Sequence, residues 1–171
     1  MSETSNPVIQ IDTSMGTIVL ELDAANAPLT VDNFLAYVHD GHYVGTIFHR
    51  VIDGFMIQAG GMSTDFKQKP TRPPIKNEAD NGLQNKRGTV AMARTQIVDS
   101  ATSQFFINVD DNDFLNFRAP TSEGYGYAVF GKVIEGLNVV DAIRQVKTGK
   151  HGPHQDVPVQ PIVIDSVSVR S

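Results

Sequence analysis

The sequence predicts a mainly β fold, either a closed β-barrel or a sandwich, with two helical plugs. About eight short β-prone runs are each bounded by glycine or polar clusters, and only two segments carry a helical period. The 171 residues, 40% of them hydrophobic, fit one domain over 1–171 that can bury a sizeable core without cross-links. Residues 1–6 are expected to be flexible.

The predicted strands begin with a hairpin over 8–22, in which an alternating apolar run precedes the turn at Ser14–Gly16. Five β-rich runs follow, at 43–50, 55–59, 89–93, 104–109 and 127–133. A last apolar alternation over 162–169 predicts the closing strand. No internal repeat is visible in the sequence, so a repeat architecture is not expected.

Two helices are predicted between these strands. The first has apolar residues with the i, i+3, i+4, i+7 spacing of one helix face, at Val31, Phe34, Leu35 and Val38. Thr30 is its predicted N-cap, and Gly41 is expected to end it. The second helix is predicted over 137–147, with apolar positions at Val139, Val140, Ile143 and Val146.

Residues 62–88 break the pattern, because they are polar, contain three prolines and show no regular apolar period. Loops longer than about 12–15 residues in compact domains are usually functional or disordered. We expect an ordered surface loop beside a site. A cluster of four basic residues in this loop is interpreted as a solvated face in preference to a nucleic-acid contact: Lys67, Lys69, Arg72 and Lys76.

The composition excludes several kinds of chemistry. The absence of cysteine excludes disulfides, thiolate zinc sites, iron–sulfur clusters and a cysteine nucleophile. No P-loop, dinucleotide fingerprint or nucleophile elbow is present, so no cofactor is predicted. His151 and His154 lie in a glycine–proline turn, which is predicted to be an exposed loop that binds no metal.

Charge and hydropathy bear on the partners and the location. A formal net charge of −5 argues against binding to nucleic acid or to an anionic membrane surface. No apolar run approaches the ~20 residues of a membrane span, and the N-terminal residues lack a signal-peptide pattern. A cytoplasmic protein is therefore expected. A monomer is also expected, since no uncovered apolar stripe stands out.

One arginine stands out as a candidate for chemistry. Arg50 interrupts a largely apolar, β-prone run over 48–61, and strand alternation can aim it away from the core. A guanidinium is rarely buried without a partner. From the residues alone, a structural ion pair and a functional role are equally open for Arg50. For the neighbouring Phe55 and Met56, a place in the core is the simplest interpretation.

Three stretches resemble the signature blocks of a known family. They are F-H-R-V-I-D-G-F-M-I-Q at 48–58, M-A-R-T at 92–95 with S-Q-F-F-I-N at 103–108, and D-F-L-N at 113–116 with G-Y-A-V-F-G-K-V at 126–133. Over nearly the whole chain, the sequence is similar to cyclophilin-type peptidyl-prolyl cis–trans isomerases, closest to their bacterial cytoplasmic (B-type) branch. The resemblance implies a closed eight-stranded antiparallel β-barrel capped by two α-helices, with a groove on its outer face.

The resemblance also implies roles for individual residues. Arg50 matches the catalytic arginine of the family, and Gln58 matches the polar residue beside it. Four residues match the family's pocket for the substrate proline ring: Phe55, Met56, Phe106 and Leu115. Gln104 matches a further position on the wall of the family's groove. The strand whose backbone pairs with the peptide in the family corresponds here to Ala93, Arg94 and Thr95.

Two rim positions depart from the common family pattern. Tyr127 stands where many relatives have histidine, and Phe114 stands where many have tryptophan. Binding of cyclosporin-type inhibitors is therefore expected to be weak.

The function that the resemblance implies is acceleration of rotation about X-Pro peptide bonds in proteins, without cofactor or metal. Proline-containing polypeptides are then the expected partners. Two alternatives stay open at this point. The same groove could serve a proline-peptide binding module or chaperone in which isomerisation is incidental. A hydrolase using His49 with an aspartate is also conceivable, although no nucleophile stands in a recognisable context.

Overall fold

The computed structural model describes residues 6–170, so the expected flexibility of 1–5 falls outside the described residues. Eight antiparallel strands form the main sheet. They are β1 (Val8–Thr13), β2 (Gly16–Leu22), β3 (Thr46–Ile52), β4 (Met56–Ser63), β5 (Thr89–Met92), β6 (Phe105–Asn108), β7 (Val129–Glu135) and β10 (Ile164–Arg170). The spatial order is β10-β1-β2-β7-β5-β6-β4-β3. The predicted strands are thus confirmed, and a single sheet replaces the sandwich alternative.

The prediction of a closed barrel needs correction. The edge strands β3 and β10 are not joined by a continuous ladder but meet at the single bridge between Ile47 and Val163. Two backbone hydrogen bonds flank this bridge, from Gly45 N to Ile164 O (2.8 Å) and from Phe48 N to Ile162 O (3.0 Å). The architecture is therefore an open eight-stranded sheet, curled until its edges meet at one bridge without forming a ladder.

Alternation along the strands gives this sheet two different faces. Residues such as Val51, Ile57 and Ile107 point to the main core inside the curl, where all three are at most 2% exposed. Their neighbours point outward, and there Met56 and Phe106 belong to a second, smaller apolar cluster. Because side chains alternate with a period of two, one strand can supply both the core and an outer site.

Helix α1 (Pro28–His39) covers one end of the main core. The predicted N-cap was wrong, because the N-cap position is Ala27, three residues before Thr30, and Thr30 lies inside the helix, which has proline in its first turn. The carboxylate of Glu78 instead accepts hydrogen bonds from the backbone N–H groups of Leu29 (3.2 Å) and Thr30 (2.7 Å). A carboxylate at this position also suits the positive end of the helix dipole. The helix ends at His39, close to Gly41 as expected.

Helix α2 (Leu137–Arg144) is three residues shorter than the predicted 137–147, and it buries Val140 and Ile143. Its Asp141 accepts two hydrogen bonds from the Arg87 guanidinium, each 2.8 Å long, and one from Arg144 of 2.9 Å. These hydrogen bonds, led by those from Arg87, hold the pKa of Asp141 well below its usual range. Arg144 also reaches Asp53 (2.5 Å), so α2 is tied to the β3–β4 turn.

Two segments outside the main sheet differ in how well they were predicted. The predicted loop around His151 and His154 is instead a two-stranded ribbon, β8 (Thr148–His151) and β9 (His154–Pro158). The long loop is ordered, as predicted, and contains a 3-10 helix at Ala79–Asn81. No helix within 6–170 is long and apolar enough to cross a membrane.

Acid should destabilise the protein through His49, which is 8% exposed on β3. Burial, with smaller contributions from His154 and Arg50, lowers the pKa of His49 from 6.5 to about 4. Between these two pH values, the unfolded chain therefore binds more protons than the folded one. The stability that comes from keeping His49 neutral is fully present above pH 6.5 and is lost as the pH falls towards about 4. This pKa difference corresponds to about 3 kcal/mol of unfolding free energy.

Urea unfolding between pH 4 and 7 measures this dependence. Subtracting the profile of His49→Gln removes the effect of the carboxylates, which titrate in both proteins. The parent should lose more stability on acidification than the variant. Parallel profiles would contradict a buried neutral His49.

Candidate active site

A row of side chains crosses the outer face of the sheet on four neighbouring strands. Arg50 of β3 is paired with Gln58 of β4, Gln58 with Phe106 of β6, and Phe106 with Ala91 of β5. Residues opposite one another in antiparallel strands place their side chains on the same face. The sheet register therefore places the candidate arginine and the candidate pocket phenylalanine on one surface.

A cavity of about 110 Å³ opens on this face. Its lining residues are Arg50, Phe55, Met56, Gln58, Ala93, Arg94, Phe106, Leu115 and Tyr127. All nine are among the twelve site residues predicted from the sequence. Met56, Phe106 and Leu115 are 2%, 4% and 7% exposed, respectively. The cavity thus has a buried apolar floor with polar side chains on one side.

Arg50 lies on the polar side of this cavity and is exposed. Within residues 6–170, its guanidinium has no salt bridge to a carboxylate and no hydrogen bond to another side chain or carbonyl. The described part of the chain therefore gives no support to the structural ion pair that the sequence left open. The donors of Arg50 are available to a molecule in the cavity.

Gln58 is held in place from behind. Its Nε2 donates a 2.7 Å hydrogen bond to Oε1 of Gln104, which itself does not line the cavity. The Gln104 side chain packs against Gly61, where an added Cβ would overlap with the Gln104 Cγ. A glycine at 61 therefore provides the room in which Gln104 can orient Gln58.

Phe114 forms the outer rim and does not line the cavity. The residue is 61% exposed, and its ring stacks on Phe55, with the centroids 5.6 Å apart and the ring planes 28° from parallel. The two rings extend the apolar surface of the cavity toward solvent. A ligand longer than the cavity would contact Phe114 after filling the floor.

The segment after β5 runs along the opposite side of the cavity. The Ala93 N–H donates to the Gln104 carbonyl (3.0 Å), which joins this segment to the one before β6. Thr95 lines a neighbouring open depression of about 550 Å³, which shares Arg94 and Tyr127 with the cavity. The cavity and this depression together form a groove that continues past the apolar floor.

The side chain of Arg94 is engaged within the protein. Its guanidinium donates to the carbonyls of Gly126 (2.8 Å), Thr95 (2.9 Å) and Ser122 (3.1 Å). It also lies 4.9 Å from the centroid of the Tyr127 ring, within cation–π range. The sequence pointed to the backbone of Arg94 and did not reveal that its side chain braces the groove wall.

A second feature that the sequence did not reveal lies behind the cavity. Asn85, Asn108 and Asn112 are at most 3% exposed and are linked by side-chain hydrogen bonds. The amides of Asn85 and Asn112 also donate to backbone carbonyls of residues that line the cavity. Isolated asparagines on short segments carry no periodic signal, so only the three-dimensional arrangement shows the connection.

His49 and the ribbon histidines do not belong to this site. His49 is 8% exposed and does not line the cavity, and its Nδ1 has no hydrogen-bond partner among residues 6–170. His151 stacks on Phe66 at 3.8 Å between ring centroids. Among residues 6–170, no group of three His, Asp or Glu side chains is placed so that it could hold a metal ion.

Comparison with known proteins identifies the family. Residues 8–169 match the family described as cyclophilin type peptidyl-prolyl cis-trans isomerase/CLD. The chain is 63% identical over 161 residues to peptidyl-prolyl cis-trans isomerase cyp18 of Streptomyces antibioticus, covering 94% of this chain and 97% of that protein. It is 56% identical over 162 residues to peptidyl-prolyl cis-trans isomerase B of Escherichia coli K12, covering 95% and 99%.

Solved structures agree with these sequence matches. A cyclophilin type peptidyl-prolyl cis-trans isomerase of Cryptosporidium parvum superposes with a TM-score of 0.80 at 28% identity, covering 97% of this chain and 98% of that one. The same Cryptosporidium protein in the presence of the dipeptide Ala-Pro gives a TM-score of 0.79, covering 96% and 99%. By sequence and by fold, the chain belongs to the family of cyclophilin-type peptidyl-prolyl cis–trans isomerases.

Proposed function

We propose that this protein catalyses cis–trans isomerisation of X-Pro peptide bonds and so assists protein folding. The observation that carries the proposal is the Arg50 guanidinium, which has no ion pair within residues 6–170, beside a small apolar cavity floored by Met56, Phe106 and Leu115. Membership of a family whose relatives are named peptidyl-prolyl cis-trans isomerases supports the same conclusion. Proline-containing polypeptides are then the substrates.

Isomerisation of an X-Pro bond requires only rotation about that bond. Rotation about the X-Pro bond breaks amide resonance, with a barrier of about 18–20 kcal/mol, and no other bond is made or broken. In the twisted transition state, the prolyl nitrogen loses conjugation and regains a basic lone pair. A donor aimed at this nitrogen stabilises the twisted state more than either planar one, which is the condition for catalysis.

Arg50 is suited to be that donor. Its guanidinium is always protonated and has five N–H groups but no acceptor, so it can donate without exchanging a proton. Millisecond turnover needs an acceleration of about 10⁴–10⁵, or roughly 5.5–7 kcal/mol. One charge-assisted hydrogen bond supplies about 1.5–3 kcal/mol of this. The remainder must come from positioning and from the exclusion of water.

The cavity supplies the positioning in this mechanism. Its apolar floor holds the proline ring while the carbonyl on the other side of the bond rotates. Gln58, oriented by Gln104, faces the same space as Arg50 and is assigned to the polar half of the site. The segment Ala93–Thr95 lies alongside and offers its backbone to the extended peptide. A structure of the Cryptosporidium parvum relative in the presence of the dipeptide Ala-Pro accords with such a ligand.

A protease-coupled assay on a peptide with one Ala-Pro bond tests the proposal. An isomerase accelerates the slow phase that comes from the cis fraction, and the rate rises in proportion to protein concentration. The alternative, a proline-peptide binding module, would hold the same peptide without accelerating this phase. Peptide binding with an unchanged slow phase would overturn the proposed function. A monomer in the cytoplasm stays a prediction.

Phe114→Trp should strengthen the binding of cyclosporin. Phe114 already stacks on Phe55 at the rim, and an indole would add apolar area and an N–H donor at the same place. We expect a Kd about tenfold lower, which corresponds to about 1.4 kcal/mol. Calorimetry on both proteins measures the difference.

Phe117→Trp is the matched control, because Phe117 packs on Tyr125 and does not line the cavity. The chain has no tryptophan, so each introduced indole is the only one in its protein and reports locally by fluorescence. An equal Kd for the parent and Phe114→Trp would show that the rim does not limit cyclosporin binding.

A further inference from the structure

Three buried asparagines form a connected group behind the cavity, here called the asparagine network. Asn85 and Asn108 are fully buried, and Asn112 is 3% exposed. Asn85 lies in the loop before β5, Asn108 ends β6, and Asn112 precedes the 3-10 helix Asp113–Leu115. Unpaired amides at such depth would be costly, so their partners explain why they are tolerated.

The members of the network are joined by direct hydrogen bonds. Nδ2 of Asn108 donates to Oδ1 of Asn85 (3.0 Å) and to Oγ1 of Thr89 (2.9 Å). Nδ2 of Asn112 donates to Oδ1 of Asn108 (2.8 Å). Each amide is thus oriented by the next, and the loop before β5 is joined to the end of β6 and the turn that follows it.

The free ends of the network reach the walls of the cavity. Nδ2 of Asn112 donates to the Phe55 carbonyl (2.8 Å), and Nδ2 of Asn85 donates to the carbonyls of Leu115 (3.2 Å) and Tyr127 (3.3 Å). Phe55, Leu115 and Tyr127 all line the cavity and come from three different segments. None of the three lies within a strand of the main sheet. A backbone hydrogen bond from the Tyr127 N–H to the Leu115 carbonyl (2.9 Å) joins two of them, and the network links this pair to Phe55.

We infer that Asn85, Asn108 and Asn112 are positioning residues, which set the relative places of three walls of the proposed proline pocket. The inference rests on the proposed function for the identity of the ligand. Apolar side chains could fill the same space, but they would not fix the direction of three separate carbonyls. A displacement of about 1 Å in a binding wall can cost 10²-fold in rate, which gives such a frame a functional value.

Asn112→Ala tests the inference, because it removes the hydrogen bonds to Phe55 and Asn108. The Phe55 carbonyl keeps its hydrogen bond from the Val109 N–H (3.1 Å), so it is not left without a partner. We expect the Kd for an Ala-Pro peptide and the KM to rise about tenfold, with a smaller change in kcat. Amide NMR shifts of Phe55, Leu115 and Tyr127 should move together in the free variant.

The matched control is Asn33→Ala. Asn33 is also buried, 8% exposed, and donates one hydrogen bond to a backbone carbonyl, that of Thr102 (2.7 Å). It lies on α1 and does not line the cavity. The control should lose stability but keep the parent's Kd and KM. If Asn112→Ala is not folded at the assay temperature, Asn85→Ser removes the hydrogen bonds to Leu115 and Tyr127 and carries the same expectation.

The outcomes separate this inference from the proposed function. If the folded network variant keeps Kd, KM and the three amide shifts within the range of Asn33→Ala, the positioning role is overturned. If the parent binds the peptide without isomerising it, the proposed function fails. A weaker peptide Kd in the network variant would then still support the positioning role.

Discussion

Arg50→Ala is expected to lower kcat/KM for X-Pro isomerisation by about 10²-fold while the protein stays folded. Removal of one preorganised donor from a transition-state site commonly costs this much. Arg50 is exposed and has no ion pair within residues 6–170, so its loss should change the unfolding free energy little. A large loss of activity with an unchanged Tm is the signature of a donor that acts on substrate.

Two further variants sharpen this expectation. Arg50→Lys keeps the charge but not the planar fork of donors, so its kcat/KM should lie between those of the parent and Arg50→Ala. Arg170→Ala is the control, because it removes an arginine that pairs with Glu135 (3.0 Å) away from the cavity. Full activity in Arg50→Ala would rule out the proposed donor.

Phe106→Ala is expected to lower kcat/KM by about 10²-fold, because it opens the floor that holds the proline ring. Phe106 is 4% exposed and contacts Tyr127 edge-on, with the ring centroids 5.8 Å apart. Truncation of a buried phenylalanine also costs about 3–5 kcal/mol of stability. The assay therefore needs a temperature at which the variant is folded, checked by circular dichroism.

Phe105 provides a matched control for the loss of stability. It is adjacent in sequence and 1% exposed, but it points to the main core, where it packs against Phe34 and Tyr43. Phe105→Ala should destabilise the protein by a similar amount and leave kcat/KM of the folded fraction close to that of the parent. Equal losses of activity in the two variants would mean that Phe106 acts only through stability.

The elements that carry a local signal were predictable from the sequence. The period of α1 and the alternation in β1 and β2 led to the correct kinds of structure. The alternation around Arg50 also indicated that it points away from the core, although the residues alone could not separate an ion pair from a functional role. To decide between an ion pair and a functional role, one must know whether a carboxylate lies near Arg50, and that depends on the tertiary structure.

The features that were missed depend on contacts between distant segments. The N-terminus of α1 is capped by Glu78, which lies 48 residues beyond Thr30, so no local sequence motif predicts this cap. The ribbon β8–β9 is short and polar with a glycine–proline break, and its strands resemble a loop in sequence. The gap between β3 and β10 reflects sheet curvature, which strand patterns do not encode.

The most direct test of the central claim is the rate at which a bound peptide converts between cis and trans, measured by NMR exchange spectroscopy on the parent and Arg50→Ala. At saturating protein, this rate is free of binding and release. We predict a fall of about 10²-fold in the variant, with a much smaller change in peptide Kd. An on-protein rate equal to that of the parent would contradict the assignment of Arg50 as the donor to the prolyl nitrogen.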